Sequence, residues 1–459
     1  MGAHGLTVER LGVVGAGTMG AGIAQLGCAA GMRTVLHDPV PEALERGLAG
    51  AWRGLGRWAE KGRVGSEALE LLEGAGSLEG LGDCELVIEA APERLELKRE
   101  LFGDLSRVCG DGAVLATNTS SIPVTALASA AERPENVVGM HFFNPPPLMR
   151  LLEVIRADQT GDRALAVARE AGAAMGKDVI LATDGPGFVV NRCGRPFYAE
   201  ALRALHERLA THDQIDRIYR LGGGFRMGPF ELMDLVGIDT GLEVAKSFTE
   251  LSFGEPRWRP SPIQARMVAA GRLGRKSGRG YYDYGDEGRH RPEDPPAPTA
   301  DRDGDFATLA AEAGLVDCAT EPLGARARVG FALLPGAGLV ELCGERDPAA
   351  EEVAARAGLH HEWVGDAPGL VLARAVCQLV NEAAFAIGEG VGSAVDVDTG
   401  LTLGLNHPRG PVAWSQAIGV DRVVAVLDGL WDHYREERYR VAPLLRRTAA
   451  VRADLTEIR

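Results

Sequence analysis

His141 closes the apolar run Val137-Val138-Gly139-Met140-His141, and Glu153 sits 12 residues later inside another, Leu151-Leu152-Glu153-Val154-Ile155. The loop Pro145-Pro146-Pro147 separates them. If the two runs pair as strands across that loop, a carboxylate meets an imidazole at one end of a sheet. Such a carboxylate fixes the tautomer of the ring and stabilises its protonated form. This pair is suited to oxidising an alcohol, where a base takes the hydroxyl proton while hydride leaves the carbon. Spacing alone leaves a second reading open: a strand-end histidine and an unrelated surface glutamate.

An acceptor for the hydride is encoded at the start of the chain. Leu11, Val13 and Val14 make a short buried strand, and Gly15, Gly17 and Gly20 follow in G-x-G-x-x-G spacing. The first glycine allows a tight turn, the second lets backbone approach a pyrophosphate, and the third lets helix pack on strand. A helix from about Met19 to Gly31 then aims its N-terminal N–H groups at the phosphates. Asp38 ends the next apolar run, 18 residues after Gly20, where a carboxylate can accept from ribose hydroxyls. With 60 glycines in 459 residues the spacing means little by itself, so the order strand, glycines, helix, strand, acid carries the reading. Asp38 repels a 2′-phosphate and is followed by Pro39 and Val40 rather than arginine, so NAD is expected over NADP. The expected cofactor contacts here are Gly15, Gly17, Thr18, Met19, Gly20 and Asp38.

Positioning these groups takes a sheet. Strand-like and helix-like runs alternate to about residue 182, which predicts a doubly wound, mostly parallel α/β domain of Rossmann type over residues 1–184. The two runs flanking the proline loop are expected to form a local antiparallel pair. Beyond Asp184 the pattern turns helical, giving an all-α domain over 185–288. Arg291-Pro292-Glu293-Asp294-Pro295-Pro296-Ala297-Pro298 opens a linker assigned to 289–335. A repeat follows. Residues 184–239 and 366–421 align without gaps with 16 of 56 identities, so 336–459 reads as a degenerate second copy of the all-α domain. Leu339-Val340-Glu341-Leu342 echoes Leu151-Leu152-Glu153-Val154, so the repeat extends before 366. The glycine-rich unit is not repeated.

The composition suits this organisation, since 459 residues imply two or three domains. A net charge of −15 disfavours nucleic acid or an anionic membrane surface as partner. No run of 18 apolar residues exists, so no membrane helix is expected. The first strand starts near residue 9, leaving no room for a signal peptide. The seven cysteines are scattered and form no C-x-x-C pair. Neither a metal site nor a disulfide framework is expected, and a reducing cytoplasm is the simplest setting.

Longer strings narrow the reading. Asn118-Thr119-Ser120-Ser121, Met140-His141-Phe142-Phe143-Asn144-Pro145-Pro146, Leu152-Glu153-Val154-Ile155, Gly187-Phe188-Val189-Val190-Asn191-Arg192 and Gly228-Pro229-Phe230-Glu231-Leu232 resemble the L-3-hydroxyacyl-CoA dehydrogenase family. The tandem helical domains and Glu437-Arg438-Tyr439-Arg440 resemble its bacterial subgroup with a second C-terminal domain, which includes 3-hydroxybutyryl-CoA and 3-hydroxyadipyl-CoA dehydrogenases. The resemblance implies reversible, NAD-dependent oxidation of an (S)-3-hydroxyacyl-CoA thioester to the 3-oxoacyl thioester. It makes His141 the general base and Glu153 its orienting carboxylate, and it gives Ser120 and Asn191 to the substrate's 3-oxygen. Taken alone, Ser120 reads as a turn residue and Asn191 as a helix cap. The resemblance adds Glu93, Lys98, Asn144 and Lys276 to the cofactor contacts and Lys61 to those of CoA. The chain has only 5 lysines among 49 basic residues, and three of them fall at these positions. An ammonium is not equivalent to a guanidinium fork, although Lys61 also reads as a solvated surface lysine.

In the second copy Ala373 replaces Asn191 and no histidine precedes Glu341 in an equivalent string, so that copy is expected to be structural. The helical domain of single-copy relatives is a dimerisation surface. Its duplication implies a pseudo-dimer within one chain, with a homodimer also open. Three other readings stand beside the leading one. A dehydrogenase of a free hydroxy acid, of gulonate type, is disfavoured by the tandem domain. A carrier-protein thioester in place of CoA stays open. A non-catalytic NAD-binding scaffold is disfavoured by intact Ser120, His141, Glu153 and Asn191. A multifunctional β-oxidation protein is not expected, since no hydratase domain precedes residue 9. The acyl chain is left open.

Overall fold

β1 (Arg10–Val14) is buried from Leu11 onward, as a strand covered on both faces must be. The computed structural model describes residues 8–285, 290–296, 298–299, 305–324 and 327–457. Two units account for the chain: Met1–Val189 with Val391–Gly404, and Val190–Gly390 with Leu405–Arg459.

The first unit continues with α1 (Thr18–Ala29), β2 (Arg33–His37), α2 (Pro41–Glu60), β3 (Leu72–Ala75), β4 (Leu86–Glu89), α3 (Leu95–Val108), β5 (Val114–Thr117) and α4 (Val124–Ala128). It then adds β6 (Val137–Phe142), β7 (Leu151–Arg156), α5 (Asp162–Ala174) and β8 (Asp178–Thr183). Eight strands lie in the order β3-β2-β1-β4-β5-β6-β7-β8, all neighbours parallel except β6 and β7. This is the expected doubly wound sheet, with the expected antiparallel pair. Its order reverses between β1 and β4, the crevice where such sheets bind ligands. Leu11, Val13, Ile23, Leu36, Ile88 and Met140 share one core cluster.

The second unit opens with α6 (Val190–His206), α7 (His212–Arg217), α8 (Pro229–Val236), α9 (Ile238–Leu251) and α10 (Pro262–Ala269). Where the sequence reads as a linker, the chain builds α11 (Phe306–Glu312), β9 (Val316–Asp317) and β10 (Val329–Ala332). The boundary at 288/289, like residues 297, 300–304 and 325–326 of that segment, lies outside the described residues. β11 (Leu339–Gly344), α12 (Pro348–Arg356) and β12 (His360–Trp363) complete a four-stranded sheet, β12-β11-β10-β9. It replaces the expected linker and the start of the expected second helical copy, whose helices begin only at Leu372.

The new sheet repeats the directions of the first sheet's last four strands. β9 and β10 are parallel, β10 and β11 antiparallel, β11 and β12 parallel. The strands escaped notice because β9 has two residues, β10 opens on Val-Gly, and β12 reads His-His-Glu-Trp. Gly330 leaves room on β10 for two thiols, Cys318 and Cys343, whose sulfurs approach to 3.7 Å. Asp366 lies beside them, with both oxygens accepting from the Leu323 N–H.

The second helical copy is α13 (Leu372–Gly388), α14 (Ala394–Gly404), α15 (Pro411–Ile418), α16 (Val420–Tyr434) and α17 (Pro443–Val451). α14 belongs to the first unit, where it packs on β7 and β8. Within the second unit, the segment after α7 packs on β11, and Gly338 N–H donates to Leu221 O. The turn before each leading helix repeats its backbone, with φ of 50° at Phe188 and 46° at Leu370. α6 packs along α13. Arg192 of α6 pairs with Glu382 of α13 at 2.8 Å, and Arg374 of α13 pairs with Glu200 of α6 at 2.6 Å. Arg257 and Arg438 add a second guanidinium to Glu382 and Glu200 respectively. All six residues are largely removed from solvent. Breaking one such pair costs about 3–5 kcal/mol, because it strands the partner's charge. No helix among the described residues is long and apolar enough to cross a membrane.

The two sheets differ in what faces the buried glutamate. Glu153 faces His141 across β6 and β7, whereas Glu341 faces Ala332 across β10 and β11. Glu341 accepts from the N–H groups of Val371 and Leu372, and burial pushes its pKa from 4.5 up to about 8. The fold therefore binds an extra proton between those values. Stability from this group is full below pH 4.5 and is lost as the pH climbs towards 8. Glu341→Gln removes the titration. Urea unfolding across that window should show wild type losing stability with rising pH more steeply than Glu341→Gln, and parallel profiles would contradict the assignment.

Candidate active site

The turn after β1 is shaped by what its glycines exclude. Gly15 has φ +98°, and a Cβ there would lie 2.7 Å from Ala90 O. A Cβ on Gly20 would lie 1.7 Å from Gly15 O, so only glycine lets α1 start this close to the strand. A Cβ on Gly17 would meet nothing within 4 Å, which leaves open space above the backbone. α1 begins with no side-chain cap and no acidic residue in its first turn, at Thr18 and Met19. Its N–H groups face that space undisturbed, the surroundings a pyrophosphate requires. Asp38 stands at the end of β2, its oxygens taking N–H bonds from Ala16 at 2.9 Å and Val40 at 3.0 Å. Each oxygen keeps a lone pair for a ribose hydroxyl. The residues fit a dinucleotide.

Beside this crevice lies a charged cluster. Lys98 of α3 is buried, with Nζ 2.6 Å from Glu89 and 3.3 Å from Glu93. Thr117 Oγ1 donates to the other oxygen of Glu89. Glu93 accepts from Thr119 Oγ1 at 2.6 Å and from the N–H groups of Ser120 and Ser121. Burial by itself raises the pKa of Glu93. Lys98 and the bonds from Thr119, Ser120 and Ser121 outweigh it and hold the carboxylate below its ordinary range. Ser120 is thus positioned through its backbone. Asn118 Oδ1 accepts from Phe142 N–H at 2.8 Å, tying the same turn to the end of β6.

At that end, strand register makes the pair expected from the sequence. His141 and Glu153 are directly opposed on antiparallel strands, a position where side chains on one face touch. His141 Nδ1 lies 2.7 Å from Glu153 Oε2, and Glu153 Oε1 accepts from Val189 N–H at 3.1 Å. Glu153 has no exposed side-chain surface and His141 keeps 8%. Because a carboxylate only accepts, Nδ1 carries the proton and Nε2 the free lone pair. Nε2 has no partner among the described residues. Phe143 and Phe188 flank the ring, with centroids at 4.6 and 5.9 Å. Asn144 follows, exposed, on the loop to β7. Lys177 secures that loop by donating to the carbonyls of Pro146 and Met149, and burial pulls its pKa down to about 8.

Three other residues expected at the site lie on other elements. Lys61 is exposed at the C-terminus of α2. Asn191 lies in the first turn of α6, in the second unit. Lys276 lies in the same unit, paired with Asp239 at 2.6 Å. Sequence reading missed Glu89, Thr119, Lys177 and the flanking phenylalanines. The only available hint was a glutamate closing an apolar strand, Leu86-Val87-Ile88-Glu89.

The chain matches the 3-hydroxyacyl-CoA dehydrogenase NAD binding domain over residues 10–185, and that family's C-terminal domain over 187–284 and again over 369–453. The chain belongs to the 3-hydroxyacyl-CoA dehydrogenase family. It is 37% identical to a 3-hydroxyadipyl-CoA dehydrogenase of Escherichia coli, over 97% of this chain and 98% of that one. A probable 3-hydroxybutyryl-CoA dehydrogenase of Deinococcus radiodurans is 42% identical over 60% of this chain and all of its own length. Among solved structures, a 3-hydroxybutyryl-CoA dehydrogenase from Escherichia coli superposes with a TM-score of 0.89 at 36% identity, covering 97% of this chain and 99% of its own. This dehydrogenase is therefore an NAD-dependent oxidoreductase of 3-hydroxyacyl-CoA thioesters, with a Rossmann domain followed by two C-terminal domains of the family.

Proposed function

We propose that the protein oxidises the 3-hydroxyl of a short (S)-3-hydroxyacyl-CoA, reversibly, with His141 as general base. The observation that carries this is the buried His141–Glu153 pair, which aims a lone pair on Nε2 away from the carboxylate. Nε2 takes the hydroxyl proton, and Glu153 stabilises the imidazolium that results. Bound NAD supplies the hydride acceptor. Gly15, Gly17, Thr18, Met19 and Gly20 hold its pyrophosphate, and Asp38 binds the adenosine ribose and rejects a 2′-phosphate. Glu93 and Asn144 border the nicotinamide end. Lys98 is a positioning residue that acts through Glu93, since it is enclosed between two carboxylates. Ser120 and Asn191 hold the 3-oxygen, Lys61 contacts CoA, and Lys276 completes the cofactor contacts.

His141→Ala should lower kcat/KM for 3-hydroxybutyryl-CoA by about 10²–10⁴-fold while NAD binding is retained. Glu153→Gln should also slow turnover and shift the pH–rate profile. Turnover of His141→Ala within about tenfold of wild type would remove the histidine from this role.

The duplicated helical domain is read as an internal pseudo-dimer. A self-complementary surface pairs residue i with j and j with i. The reciprocal pairs Arg192–Glu382 and Arg374–Glu200 support this pattern. A covalent link raises the effective concentration of the second copy to about millimolar, ahead of a separate chain. A chain truncated after residue 285 should dimerise or aggregate, as sedimentation would report. A truncated protein that stays monomeric, soluble and fully active would contradict the pseudo-dimer.

A further inference from the structure

α6 lines a cavity on a face whose counterpart on α13 is covered by other helices. Arg195, Tyr198 and Leu202 line a space of about 590 Å³, closed on the other side by Trp258, Arg259 and Ser261 among others. The equivalent positions on α13 are Cys377, Val380 and Ala384, all buried where α16 and α17 pack against that helix. The first copy therefore keeps open, and lines with polar groups, a space that the second copy fills with apolar side chains.

The charges in this cavity do not balance. Arg257 pairs with Glu255 and Glu382, Arg438 with Glu200, and Arg203 with Glu207 and Glu436. Arg435 pairs with Asp432 outside the lining. Of the lining residues, Arg195 and Arg259 have no carboxylate partner among the described residues, against one unpaired and exposed carboxylate, Glu437. Arg195 is half-buried and stacks on Phe248 at 5.2 Å, and the burial lowers its pKa. Burial pushes Tyr198 up to about 12, so its phenol stays an O–H donor. A guanidinium and a hydroxyl facing one cavity form a receptor for a carboxylate.

Asn191, Arg195, Tyr198 and Leu202 follow the spacing of one helix face. Arg195 lies four residues, about 6 Å, beyond Asn191 along the axis. In a six-carbon acyl chain, C6 lies three bonds beyond C3, about 4 Å when extended. An arginine side chain covers the difference. We propose that Arg195, with Tyr198, binds the distal carboxylate of a dicarboxylic 3-hydroxyacyl chain such as 3-hydroxyadipyl. This rests on the reading above in which Asn191 contacts the substrate's 3-oxygen.

The test compares (S)-3-hydroxyadipyl-CoA with (S)-3-hydroxyhexanoyl-CoA, which has the same length and no distal charge. Wild type should favour the diacid in kcat/KM by about 10- to 100-fold, the worth of a charged hydrogen bond. Arg195→Met should collapse that ratio towards one, and Arg195→Lys should keep part of it. Calorimetry with adipyl-CoA and hexanoyl-CoA, which lack the hydroxyl and cannot react, should show the same preference in the NAD-free protein and its loss in Arg195→Met. No preference in wild type, or a ratio unchanged by Arg195→Met, overturns the proposal. Equal losses for both thioesters also overturn it and assign Arg195 to folding or to a CoA phosphate. If neither hydroxyacyl-CoA is oxidised yet adipyl-CoA still binds more tightly, the catalytic reading fails and the carboxylate receptor stands. If both are oxidised equally well, the reverse holds.

Discussion

The structure depends on a carboxylate that has no water to solvate it. Glu153 lies on β7, covered by β6 and β8 on either side, with no exposed side-chain surface. A charge in that position survives only with partners that replace solvent. One partner is His141, placed opposite by the register of β6 and β7. Another is the Val189 N–H, supplied by the turn that leads out of the domain. That turn places Phe188 in the left-handed region at φ 50° and against the imidazole. Strand register, the exit turn and the orientation of the ring are thus one constraint seen from three sides.

The second copy provides an internal control. It keeps the sheet directions, the carboxylate, the left-handed turn and the backbone N–H bonds, but has Ala332 where the first has histidine. Its glutamate is driven towards the neutral form by burial. The same scaffold with and without an imidazole therefore separates what the carboxylate does for folding from what it does for chemistry. The first copy adds the second function to the first. The copy without histidine also closes the space beside its leading helix with apolar side chains, whereas the first copy leaves that space open and cationic.

Much of this was legible in the sequence because the signals were local or periodic. Gly15, Gly17, Gly20 and Asp38 lie within one βαβ unit. His141 and Glu153 sit on two adjacent strands joined by a short loop, so their meeting needed only a pairing across that loop. The network of Glu89, Lys98, Glu93 and Thr119 was not legible. Its bonds span 9 to 28 positions and cross between neighbouring loops, so no spacing announces them. The small sheet was hidden for a different reason. Its strands are short and carry Gly330, His360, His361 and Glu362, which break the apolar alternation that marks a strand. The cavity on α6 was invisible because arginine and tyrosine at helical spacing read as a solvated face.

The central claim is that Glu153 holds His141 as the Nδ1–H tautomer with Nε2 free to take a proton. The ¹⁵N shifts of a histidine-labelled protein, assigned through His141→Gln, report this directly for the neutral ring. The account predicts a protonated Nδ1 and an unprotonated Nε2 at His141, and loss of that preference in Glu153→Gln. A neutral His141 protonated at Nε2, or a tautomer unaffected by Glu153→Gln, would contradict it.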